Sequence, residues 1–218
     1  MDGSSERYLA PYVRATERHG ARFESLLWAS PASQRARFEA MARLCDFGGR
    51  KVLDAGCGRA DFLDYLLDRG ITPAHYVGIE AIPELAEAGR QKKRQRSVIV
   101  QADFVREPSR LLVGADVVVL CGSMNTFDAA RFFGTIRTAY GAATEAVVFN
   151  FLSSPRLAAA EWLSWHEPAD VMAFAERFSD DVKSLADYMD GDCTVAIRKA
   201  EGAGDNSGQM LADEGSRR

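Results

Sequence analysis

The chain has 218 residues, 47% hydrophobic and 27% charged, with a formal net charge of -4. That length holds one α/β domain plus an appendage, and the balance is that of an ordinary globular protein. A mildly acidic surface argues against broad electrostatic binding of nucleic acid or anionic membrane, and no apolar run approaches the ~20 residues a bilayer span requires.

The N-terminal stretch "MDGSSERYLAPYVRATERHG" has no apolar core of the signal-peptide kind. Helix is expected over part of Arg7 to Trp28, interrupted by Pro11 and Gly20. "SQRARFEAMARLCDFGG" predicts an amphipathic helix: Ser33 can cap it, Phe38, Met41, Ala42 and Cys45 recur at helical spacing, and Gly48-Gly49 ends it. An alternation follows. "KVLDAG", "HYVGIE", "SVIVQAD", "ADVVVLCGS" and "EAVVFNF" read as strands. Between them "DFLDYLLDRG", "IPELAEAGRQKKR" and "DAARFFGTIRTAYG" read as helices. Near-continuous Val/Ile runs mean strands buried on both faces, hence a parallel sheet with a helical layer on each side. After a further helix, "PADVMAFAERF", the segments "VKSLADYM" and "CTVAIRKA" flank an Asp190-Gly191 hairpin signal, so the sheet finishes with an antiparallel pair. We divide the chain into an N-terminal helical cover (1–48), an α/β domain (49–200) and a disordered tail (201–218) rich in Gly, Ser and acids. The cysteines Cys45, Cys57, Cys121 and Cys193 include no C-x-x-C pair. Reduced thiols, no metal site and a cytoplasmic location are the expectation.

Ligands on open α/β sheets sit beyond the carboxyl ends of the strands, where the winding reverses. The first strand runs into Asp54-Ala55-Gly56-Cys57-Gly58, the second ends in Glu80, the third in Asp103-Phe104, and the fourth in Cys121-Gly122-Ser123-Met124-Asn125. A dinucleotide fingerprint would need a small residue at the sixth place of "GCGRAD", where Asp61 stands and would repel a pyrophosphate. A cationic, nucleoside-bearing ligand suits these acids better. Glu80 follows Gly58 at about the 20-residue spacing from which a carboxylate reaches a ribose diol.

"VLDAGCGRADF", Glu80 after "HYVGI", and "QADF" together resemble the class I S-adenosylmethionine-dependent methyltransferases, over roughly 51–199. The resemblance implies a doubly wound, seven-stranded sheet of order 3-2-1-4-5-7-6 with an antiparallel last strand. It implies that Gly56 and Gly58 lie against the methionine part of S-adenosylmethionine, that Glu80 holds both ribose hydroxyls, and that Asp103 accepts from the adenine amino group beside Phe104. Asp54, at the glycine turn, can accept from the ammonium directly or through water, and Cys57, Ala81, Cys121 and Gly122 would complete the cofactor's surroundings. Ala60 departs from the usual glycine and should be tolerated if its φ is negative.

For the chemistry the residues offer less. His166, after two tryptophans in "EWLSWHEP", is the candidate base; His19 and His75 are weaker still. "CGSMN" lacks the Asn/Asp-Pro-Pro-aromatic pattern of base-amine methylation, and Asn125 is expected to cap the next helix. Tyr8, Tyr12, Phe23, Trp28, Trp162 and Trp165 are candidate walls for an apolar or ring-bearing acceptor. The basic run Arg90 to Arg96 is expected to be a solvated helix end rather than an RNA site. The reading is a small-molecule methyltransferase. Its alternatives are an RNA or protein methyltransferase, or a non-catalytic cofactor-binding protein; an NAD enzyme is opposed by Asp61 and the terminal hairpin.

Overall fold

The computed structural model describes residues 7–200; the tail expected at 201–218 lies outside them. Seven strands form one sheet: β1 Lys51–Ala55, β2 His75–Glu80, β3 Ser97–Gln101, β4 Val117–Leu120, β5 Ala146–Leu152, β6 Val182–Leu185 and β7 Asp192–Arg198. Their order is β3-β2-β1-β4-β5-β7-β6. The first five are parallel, and β7 runs antiparallel to both β5 and β6. This is the doubly wound order the resemblance implies, with its reversal between β1 and β4.

The apolar runs have the burial they require. Every residue of β4 and β5 is buried. Side chains alternate across the sheet. Leu53, Val118, Val147 and Phe149 face one core, closed by Phe132 and Ile136 of α5 (Ala129–Ala142). Val52, Val117, Val119 and Val148 face another, closed by Phe38 and Met41 of a helix at Pro31–Leu44 and by Phe62 and Leu66 of one at Asp61–Asp68. In chain order the helices are α1 Ala10–His19, α2 Pro31–Leu44, α3 Asp61–Asp68, α4 Pro83–Gln91, α5 and α6 Pro168–Ala175.

Three local expectations change. The cap of α2 is Ser30, not Ser33. Pro31 fits the first turn, and Ser30 and Ser33 exchange hydrogen bonds, each side chain accepting from the other's backbone N–H. The Asp190-Gly191 turn forms, with Asp192 N–H donating to Met189 O, but the β6–β7 ladder, which runs from Val182 opposite Ile197, stops short of it at Leu185 opposite Thr194. Between them Tyr188 folds inward to bond Asp192 and Thr194. The basic run is not a free helix end: α4 stops at Gln91, and Lys92 reaches both Asp61 and Asp64 at 2.6 Å while Arg94 reaches Asp64. These pairs tie β3's entry to α3 and neutralise the acids of its first turn.

Candidate active site

The bend after β1 is a run of left-handed residues. Gly56, Gly58 and Ala60 have φ of 83°, 54° and 57°. Gly56 must be glycine for want of room as well, whereas at Gly58 a Cβ would need only the end of a flexible leucine to shift. A Cβ on Gly56 would lie 2.4 Å from Ser123 Cβ, and one on Gly58 2.8 Å from Leu26 Cδ2. The N–H groups of Gly56 and Cys57 both donate to Ile79 O, which holds the bend on β2. Ala60 does not have the negative φ expected of it. As the left-handed N-cap of α3 it accepts a strain of about 1–2 kcal/mol.

Three carboxylates crown neighbouring strands and line one pocket with that bend. Glu80 is buried; its Oε2 accepts from Gly58 N–H and its Oε1 from Ile82 N–H, both at 2.8 Å. Burial pushes its carboxyl up, and the backbone donors oppose the push. Each oxygen keeps acceptor capacity beyond its one backbone bond. Asp103 accepts from the backbone of Val105 through Oδ1 and from the Tyr8 hydroxyl, at 2.5 Å, through Oδ2. Asp54 is 2% exposed. Its Oδ2 accepts from the Tyr76 hydroxyl at 2.5 Å, while its Oδ1 is buried with no partner among the described residues. Burial, then the nearby charges of Glu80 and Asp61, push its carboxyl up to about 7 against the Tyr76 bond. A buried carboxylate oxygen without a donor is costly unless a ligand supplies one.

Much of the remaining lining comes from the N-terminal segment and the loop after β4. Tyr8, Tyr12, Leu26 and Trp28 line the pocket together with Ser123, Thr126 and Phe127, and the Tyr8 ring packs edge-on against Phe127. Tyr12 donates to Gly122 O, and the edge of Trp28 lies where a Cβ on Gly122 would be, 2.4 Å from its Cη2. Gly122 (φ 69°) is fixed from behind by a buried polar chain. Its N–H donates to Asn150 Oδ1 at 2.7 Å, Asn150 Nδ2 donates to Asp192, and Asp192 is paired with Arg37 of α2 at 2.6 Å. The Arg37 guanidinium also lies over the Trp28 ring. Burial pushes the Asp192 carboxyl up, with Arg37 pulling the other way. This chain escaped the sequence reading. The only visible signal was a polar Asn150 inside "AVVFNFL", an otherwise apolar run.

Residues 53–140 match the family model described as the methyltransferase domain. Over those residues the chain is similar to methyltransferase domains, and its sheet has the strand order of the class I, Rossmann-like methyltransferase fold. S-adenosylmethionine is the cofactor of such domains. Among solved structures, magnesium protoporphyrin IX methyltransferase from Synechocystis PCC 6803, with S-adenosylhomocysteine bound, superposes with a TM-score of 0.65 at 12% identity, covering 89% of this chain and 100% of its own. A SAM-dependent methyltransferase from Archaeoglobus fulgidus gives 0.59 at 17% identity, covering 76% and 92%. Mitomycin 7-O-methyltransferase gives 0.63 at 18% identity, covering 87% of this chain and 60% of that one. At these identities the likeness is one of fold. No curated protein matches the sequence.

Asp54, Gly56, Cys57, Gly58, Glu80, Ala81, Asp103, Phe104, Cys121 and Gly122 all line the same pocket. His166 does not. Its ring stacks on Phe132 at 3.9 Å, and burial pulls its pKa down. Trp162, Trp165 and Phe23 are likewise absent from the pocket lining. Asn125 is not the cap of α5; Asp128 is, accepting from Arg131 N–H.

Proposed function

We propose that this chain uses S-adenosylmethionine to methylate a small, apolar or ring-bearing acceptor. The observation that carries the cofactor assignment is the unpartnered Asp54 Oδ1 beside Glu80 and Asp103 in one pocket. The donor set fits: an ammonium answers Asp54, a ribose diol answers the free lone pairs of Glu80, and an adenine amino group competes with Tyr8 for Asp103. A diphosphate would meet three carboxylates and be repelled. When bound, the cofactor supplies an electrophilic methyl; the chain's own contribution is alignment and a dry site.

The acceptor wall supports a ring-bearing molecule. Tyr8, Tyr12, Trp28 and Phe127 are apolar surface, while Ser123 Oγ and Thr126 Oγ1 are buried hydroxyls with no partner among the described residues. Burial pushes Tyr12, Cys57 and Cys121 up, so they stay protonated near neutrality. An acceptor that brings its own nucleophile, as an ionised oxygen or a neutral amine, suits such a wall. Lys92 and Arg94 are engaged with α3, which weighs against an RNA backbone as acceptor. No helix among the described residues is long and apolar enough to cross a membrane.

The test is calorimetry with S-adenosylmethionine, S-adenosylhomocysteine and NAD, followed by S-adenosylhomocysteine release across a panel of small acceptors. Binding of the first two and its loss in Glu80→Ala are expected. Binding of NAD alone refutes the cofactor, and binding without turnover on any small acceptor refutes the acceptor class.

A further inference from the structure

Tyr76 is buried on β2, only 1% exposed. It pairs with Val52 of β1, and Gly78, two residues on, pairs with Asp54. Residues two apart share a face of the sheet, so Tyr76 stands one step behind Asp54. No side chain intervenes at Gly78; a Cβ there would lie 2.6 Å from Cys57 Sγ and 2.7 Å from Ile99 Cδ1. The phenol therefore runs along the sheet, and its hydroxyl donates to Asp54 Oδ2 at 2.5 Å. A phenylalanine would fill the same apolar space. The hydroxyl is a buried polar group whose desolvation is recovered through this bond.

The bond divides the carboxylate's two oxygens. Oδ2 is held from behind, and Oδ1 is left unpartnered in a residue that lines the pocket. The titratable groups facing Asp54 are Tyr76 and Glu80 from β2, Cys57 from the bend, Asp61 from α3 and Cys121 from the end of β4. None of them is cationic, and Glu80 and Asp61 raise the Asp54 carboxyl while the Tyr76 hydrogen bond lowers it.

Resting on the cofactor reading above, we propose that Tyr76 is a positioning residue of the cofactor site: it fixes the carboxylate plane of Asp54 so that Oδ1 meets the ammonium of the cofactor's amino-acid end. The same bond favours the charged form of Asp54, so its loss moves the ionisation of Asp54 to higher pH.

Tyr76→Phe tests this with two probes that share 5′-thioadenosine and differ in the amino-acid end, which brings the ammonium together with a carboxylate. S-adenosylhomocysteine carries it and 5′-methylthioadenosine does not. At pH 7 the variant is expected to bind S-adenosylhomocysteine about tenfold or more weakly, because Asp54 must then be oriented and ionised at the expense of binding, and 5′-methylthioadenosine within about twofold of wild type. The pH midpoint of S-adenosylhomocysteine affinity is expected to rise. Retained 5′-methylthioadenosine binding reports that the variant is folded. In an Asp54→Asn background, Tyr76→Phe is expected to add little further loss, and this cycle also serves if the single variant folds poorly. Equal weakening of both probes, no weakening of either, or full additivity in the cycle overturns the proposal. A wild type that binds neither probe overturns the cofactor reading itself.

Discussion

Asp54 makes the apo protein's stability depend on pH in an uncommon sense. Its carboxyl stands near 7 in the folded chain against a reference value of 3.8. Between those values the folded state binds more protons than the unfolded one, so stability falls as pH rises. The contribution is fully present below about pH 4 and is lost as pH rises through 7. About three pH units at 1.36 kcal/mol each put it near 4 kcal/mol. Glu80 and Asp192 are also raised, and Asp61 is lowered by Lys92 and Arg59 against burial, so the isolating comparison is wild type against Asp54→Asn. Urea unfolding from pH 4.5 to 7.5 is expected to show wild type losing up to about 1.4 kcal/mol per pH unit relative to the variant. Bound cofactor reverses the preference, because an ammonium on Oδ1 favours the carboxylate; affinity should improve as pH rises through 7. Parallel stability curves for the two proteins, or cofactor affinity that falls over this range, would refute the reasoning.

Two perturbations test the frame around the pocket. Ala60→Gly relieves about 1–2 kcal/mol of left-handed strain but loses about 0.8 kcal/mol of methyl burial and about 0.4–1 kcal/mol to a freer unfolded chain. Its stability should stay within about 1 kcal/mol of wild type by thermal unfolding. Ala60→Val, β-branched at positive φ, should cost more than about 2 kcal/mol; a harmless valine would mean the bend is not held as described. Arg37→Ala strands Asp192 as a buried charge and should cost about 3–5 kcal/mol in urea unfolding. Arg37→Met with Asp192→Asn should recover part of that, since no unpaired charge remains buried; a loss below about 1 kcal/mol in Arg37→Ala would contradict the buried pair.

The alternation of apolar runs with amphipathic helices was enough to read the sheet, because strands buried on both faces have no freedom to be polar. The acids at strand ends were legible for a related reason. Parallel strands bring their carboxyl ends to one edge, so Asp54, Glu80 and Asp103 converge wherever the winding reverses. Caps and turns were less legible: Ser30 and Ser33 are equally good caps by type, and only the reciprocal bonds after Pro31 choose between them. The base candidate His166 went astray because an aromatic neighbourhood in sequence does not say which side of the sheet it packs on.

What the chain's order of residues determined by itself was the buried parallel strands and the acids at their ends, since these follow from local periodicity and strand polarity; the winding of the sheet was implied by the family resemblance. What only the tertiary structure decided was who touches the acids. Tyr8 on Asp103, Tyr76 on Asp54 and Arg37 on Asp192 join residues 95, 22 and 155 positions apart. No local pattern encodes such pairs. They exist because burial leaves each polar group a short list of neighbours, and that list is written by packing.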